Sequence, residues 1–138
     1  MKKFIVLAMS AILLFSAIAT PVSAAQPNDE IAQPYWTNTN GIDAHIGFVD
    51  GVGYADGYVN GKFGTTMTQA YVVVYMQVGD SWVYVADKSV QSNSISALVS
   101  CEFVPMVGMT YKAEYTFMVS KSGTTETVTR DVYKTFEV

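Results

Sequence analysis

The chain has 138 residues, of which 50% are hydrophobic and 14% charged, with a formal net charge of −4. This allows one ordinary domain with enough apolar surface for a core and excludes wholesale disorder. A single Cys and a single His exclude a disulfide framework and any zinc site built from several thiolates or imidazoles of one chain. An acidic balance without a basic cluster argues against phosphate-backbone binding, so nucleic acid is not an expected partner.

Lys2 and Lys3 precede an apolar run from Phe4 to Ala19, and Thr20-Pro21-Val22-Ser23-Ala24-Ala25 follows. A basic start, an apolar stretch, a helix-breaking Pro and small residues at Val22 and Ala24 form the layout of a secretory signal peptide cut after Ala24. The run is shorter than the roughly 20 residues a membrane-spanning helix needs, so no stable membrane insertion is expected after cleavage. Losing Lys2 and Lys3 leaves the mature chain two charges more acidic, and the expected location is secreted, extracellular. Residues 25–40 carry Pro27 and Pro34 among small and polar residues and read as an extended leader, with Tyr35-Trp36 over a sheet edge. The domain is expected at 41–138.

From Gly41 onward the pattern is period-two alternation between turn clusters. Ile42, Ala44, Ile46 and Phe48 alternate with Asp43, His45 and Gly47 up to Asp50-Gly51, a hairpin-type pair. Val52 to Asn60 puts Gly53, Ala55, Gly57 and Val59 on one face, and small residues there predict close approach by a facing sheet. After a loop at 61–66, Ala70, Val72, Val74 and Met76 alternate with Tyr71, Val73, Tyr75 and Gln77, a strand apolar on both faces and therefore central. Gly79-Asp80-Ser81 turns into Trp82 to Asp87, with Trp82, Tyr84 and Ala86 expected on one face.

Ile95, Ala97, Val99, Cys101 and Phe103 form the inward set of a fifth strand, which makes Cys101 a buried free thiol. A corner at Pro105 to Gly108 leads into a sixth, with Tyr111, Ala113, Tyr115, Phe117 and Val119 inward and Lys112, Glu114, Thr116 and Met118 outward. A Gly-containing hairpin loop at 120–124 precedes a Thr-rich return strand from Glu126 to Phe136. About seven short strands without helical period predict an all-β, antiparallel two-sheet β-sandwich of immunoglobulin or fibronectin type III character. Gly108-Met109-Thr110-Tyr111 resembles the tyrosine corner of those folds, which implies a hydroxyl bonded back to the chain.

Tyr35-Trp36-Thr37-Asn38-Thr39, Gly79-Asp80-Ser81-Trp82-Val83, Gly108-Met109-Thr110-Tyr111-Lys112 and Ser122-Gly123-Thr124-Thr125-Glu126-Thr127 together resemble short secreted β-rich proteins of Gram-positive, Clostridium-like bacteria. Those families are of uncharacterised function. The resemblance implies secretion, size and fold, and it brings no catalytic or binding residue with it.

Chemistry is sparse. His45 shares an outward strand face with Asp43, the relation an orienting Asp has to a catalytic His, but no Gly-x-Ser-x-Gly turn or exposed thiol supplies a nucleophile. The plain reading is a solvent-facing polar pair. Asp50, Asp56 and Asp80 lie in or near glycine turns, where hairpin chemistry explains them as well as calcium would, and no Asp-x-Asp-x-Asp-Gly run occurs. No catalytic residue, metal ligand or cofactor is assigned.

The remaining feature is a set of outward aromatics. If Ala70, Val72 and Val74 face the core, Tyr71 and Tyr75 face out, with Trp82 and Tyr84 beside them. Flat rings stack on sugars and anchor protein interfaces at low entropic cost, although cross-strand aromatic pairs also simply stabilise sheets. Tyr54 and Tyr58 form a weaker pair on the other sheet. The expectation is a non-enzymatic module binding a glycan, a cell-wall polymer or an extracellular protein through Tyr71, Tyr75, Trp82 and Tyr84. A self-assembling surface protein, pairing through its last strand or its leader, is the alternative, and a small secreted hydrolase the third reading.

Overall fold

A computed structural model describes residues 35–138. The expected signal peptide and most of the leader lie outside the described residues. Seven strands follow in chain order: β1 (Thr39–Val49), β2 (Val52–Gly61), β3 (Thr65–Val78), β4 (Ser81–Ser92), β5 (Ser96–Phe103), β6 (Thr110–Lys121) and β7 (Thr124–Thr135). They form two antiparallel sheets, β1-β2-β5 and β4-β3-β6-β7. The result is an all-β sandwich in which β4 edges the sheet of β3 and β6, where an immunoglobulin constant domain joins its fourth strand to the other sheet.

Alternation explains the layers. Ala55, Val59, Val99, Cys101 and Phe103 from the smaller sheet meet Ala70, Val72, Val74, Tyr111, Ala113, Tyr115, Phe117 and Val119 from the larger one, all buried. β3 is internal to its sheet, as an apolar strand on both faces should be. The facing sheet approaches closely over Gly57 of β2, where an added Cβ would lie 2.7 Å from the Tyr115 ring of β6, whereas Gly53 makes room for Phe103 of β5, its pairing partner in the same sheet, whose ring would lie 2.4 Å from an added Cβ. Asp50 and Gly51 both adopt positive φ, as do Ser122 and Gly123, the geometry whose twist matches two-residue hairpins.

Three expectations shift. The boundary at Gly41 moves toward the amino terminus: Asn38 and Thr39 are buried and β1 starts at Thr39, while Trp36 packs partly against the core and Tyr35 is fully exposed. A register shift at Val74/Tyr75 pairs Tyr84 with Tyr75 but Ala86 with Val74, leaving Val85 as the extra residue. This β-bulge puts Ala86 on the core side, opposite to Trp82 and Tyr84. Ile95 precedes β5 and is exposed instead of inward.

Tyr111 ties the β5–β6 corner. Its hydroxyl accepts a hydrogen bond from the Met106 N–H at 2.7 Å and points at Met76 Sδ, 3.5 Å away, while its ring packs on Phe103 and Phe48. Gly108, at positive φ, donates its N–H to the Phe136 carbonyl. Tyr111→Phe keeps the ring and orphans the Met106 N–H, and we expect a loss of about 1 kcal/mol in thermal unfolding.

Candidate binding face

The outward face of the larger sheet is built from rows of residues paired across its strands. One row runs Tyr84, Tyr75, Lys112 and Tyr133 from β4 to β7, and the next Asp87, Val73, Glu114 and Asp131. Then come Ser89, Tyr71, Thr116 and Thr129, followed by Gln91, Gln69, Met118 and Thr127. Trp82, opposite Gln77, lies at the other end. Tyr71, Tyr75, Trp82 and Tyr84 therefore share one face, since the bulge falls after Tyr84.

They are not equivalent. The Lys112 ammonium stands 5.0 Å from the ring centroids of both Tyr75 and Trp82, a double cation–π contact, and also bonds Glu114 Oε1 at 2.6 Å. The bond to Glu114 raises the Lys112 pKa. Trp82 reaches across the sheet to Tyr133, with centroids 5.8 Å apart, so its ring lies over the sheet and is half-buried. Tyr84 is 58% exposed and its hydroxyl donates to the Asp87 carboxylate, which raises the phenol's pKa. Tyr71 makes no aromatic, cation–π or hydrogen-bond contact among the described residues. It borders a surface groove of about 280 Å3 with Gln69, Ser89, Thr116 and Met118.

Tyr133, 57% exposed, is the aromatic that sequence reading missed. It sits in a strand recognised only as Thr-rich, and counting alternate positions from the Ser122-Gly123 turn places it outward with Thr125, Thr127 and Thr129.

His45 lies on the outer face of the smaller sheet. Its Nε2 is 3.3 Å from Asp56 Oδ2, its cross-strand neighbour, so its partner is Asp56 and not the same-strand Asp43. Asp56 is thereby a strand residue, while Asp50 and Asp80 sit in the β1–β2 and β3–β4 turns. Tyr54 and Tyr58 share this face, with exposed Leu98 opposite Tyr58. Cys101 is buried and free, and burial raises its pKa. A scan against protein-family models and a search of curated proteins find no match for this chain.

Proposed function

We propose that this chain is a secreted, non-enzymatic binding module whose ligand sits on the outer face of the β4-β3-β6-β7 sheet. The observation that carries this reading is the gathering of Tyr71, Tyr75, Trp82, Tyr84 and Tyr133 on one outward face, where a β-sandwich needs no apolar surface for its own core. Rings braced by Lys112 and Asp87 are rigid before contact, and rigid aromatic anchors lose little entropy on binding. A glycan, a cell-wall polymer or an extracellular protein all suit such a face.

The edges of this sheet argue against self-assembly as its main work. Lys88 on β4, and Arg130 and Lys134 on β7, fall at core-facing positions of edge strands yet are exposed, and Lys134 folds over the Phe48 ring at 5.9 Å. Charges placed there oppose strand addition by a second copy. The test is retention of the purified protein on insoluble polysaccharides, mucin and bacterial cell wall, beside Tyr71→Ala/Tyr75→Ala. We expect retention by the wild type and loss in a double variant that still melts cooperatively. Equal retention by both proteins would remove the face from the account.

A further inference from the structure

We infer that the groove beside Tyr71 is a subsite for one uncharged pyranose ring of a polysaccharide, and that Tyr71, not the Trp82 cluster, is its stacking platform. This rests on the reading of the outer face as a binding surface.

The other aromatics of the face are already engaged. Tyr75 and Trp82 share Lys112, Tyr133 packs on Trp82, and the Tyr84 hydroxyl is held by Asp87. Tyr71 alone of these aromatics has neither a ring or cation against it nor a hydrogen bond from its hydroxyl among the described residues. The register gives it polar neighbours on both sides, Ser89 from β4 and Thr116 from β6, and the next row supplies Gln69 and Met118.

These five residues match the two chemistries of a sugar. A pyranose presents a C–H face that packs on an aromatic ring or a thioether, and a rim of hydroxyls that both donate and accept hydrogen bonds. Tyr71 and Met118 supply the first kind of surface, and Gln69, Ser89 and Thr116 the second. Gln69 Nε2 already donates to Ser89 Oγ at 3.2 Å, which orients the amide before anything binds. The volume of about 280 Å3 falls at the lower end of ligand sites and suits a single ring better than an oligosaccharide buried whole.

Charge selects the class. No ionisable group other than the Tyr71 phenol lines the groove, so a carboxylated or phosphorylated sugar would find no cation there. The adjoining row carries Asp87, Glu114 and Asp131; Glu114 is paired with Lys112, and the carboxylates of Asp87 and Asp131 disfavour an anionic polymer beside the groove. Lys112, the cation on this face, is paired with Glu114, and Lys88 and Arg130 on the edge strands occupy core-facing positions, on the side of the sheet away from the groove.

The experiment measures retention of the purified protein on cellulose, chitin and mannan, with polygalacturonate as the anionic arm. It compares wild type, Tyr71→Ala, Tyr84→Ala and Ser89→Arg, each checked for a cooperative melt. Ser89 is exposed on an edge strand, so Ser89→Arg fills the groove without disturbing the core even if Tyr71→Ala fails to fold. We expect retention on at least one neutral polymer, no retention on polygalacturonate, about tenfold weaker retention for Tyr71→Ala and Ser89→Arg, and a smaller loss for Tyr84→Ala than for either. Retention that survives Ser89→Arg but is lost in Tyr84→Ala would overturn the subsite and leave the binding face standing. Preference for polygalacturonate would overturn the neutral-sugar assignment. A wild type retained by no polysaccharide overturns the subsite, and the broader reading then rests on whether mucin or cell-wall retention depends on Tyr75 and Trp82.

Discussion

Gly57→Val is expected to cost at least about 3 kcal/mol and to lower the melting temperature by more than about 10 °C. An added Cβ at Gly57 would lie 2.7 Å from Tyr115 Cδ1 and 3.2 Å from Phe117 Cε1. Neither ring can retreat. Tyr115 is buried, its hydroxyl donates to the His45 carbonyl at 2.7 Å, and its ring stacks on Phe117 with the planes 9° apart. Burial raises the Tyr115 pKa, so the phenol stays protonated and keeps that bond across the working pH range. The added methyl groups must therefore force the two sheets apart. Gly47→Ala is the control, because nothing lies within 4 Å of a Cβ there and its backbone is ordinary. We expect Gly47→Ala to be neutral or slightly stabilising in the same melts. Equal losses at the two positions would mean that the close approach of Tyr115 and Phe117 to Gly57 is not what sets the cost there.

The inner face of β2 was legible because local composition and global packing say the same thing there. Gly53, Ala55 and Gly57 are small at alternate positions, and a close facing sheet explains Gly57 against Tyr115 and Phe117, although Gly53 gives way to the ring of Phe103 on the neighbouring strand of its own sheet. The strand count, the central place of β3 and the inward set of β6 follow from period two in the same way. What escaped depends on counting across strands. A bulge at Val85 leaves no mark in β4 itself, because it appears only as a mismatch of register with β3, so strict alternation groups Ala86 with Trp82 and Tyr84. His45 has one carboxylate two residues away and another across the sheet. Side chains on neighbouring strands stand closer than i and i+2 on one strand, and so Asp56 takes the contact. The candidate face divides similarly. Its four aromatics were visible as outward residues, but the sharing of Lys112 and the isolation of Tyr71 come from long side chains crossing the sheet, which periodicity does not encode.

Polar residues and prolines make the segment up to Asn40 look like a leader, and Glu126 shows why the domain in fact begins before Gly41. Its carboxylate accepts three backbone N–H groups, Thr37 at 2.5 Å through Oε1, and Thr39 at 2.7 Å and Asn38 at 3.0 Å through Oε2. The Asn38 amide donates in turn to the Val119 and Thr124 carbonyls. One acidic side chain in β7 thus does for the start of β1 what a ladder partner would do, and residues nearly ninety positions apart are needed to see it. Glu126→Ala leaves these donors without their acceptor, and we expect a loss of about 2 kcal/mol with protease cleavage opening up at residues 37–39. Burial would raise the Glu126 pKa, but the hydrogen bonds from Thr39, Thr37 and Asn38 outweigh it and hold the group below the usual carboxylate range. A group whose folded pKa is depressed stabilises the fold fully above its unfolded value, and that stabilisation is lost as pH falls through the folded value. Glu126→Gln removes the charge at every pH and turns an N–H donor toward N–H donors. The gap in melting temperature between wild type and Glu126→Gln should therefore stay constant above about pH 5 and close in stronger acid. A gap that persists unchanged to the lowest pH at which both proteins fold would show that Glu126 holds the segment by shape and not by charge.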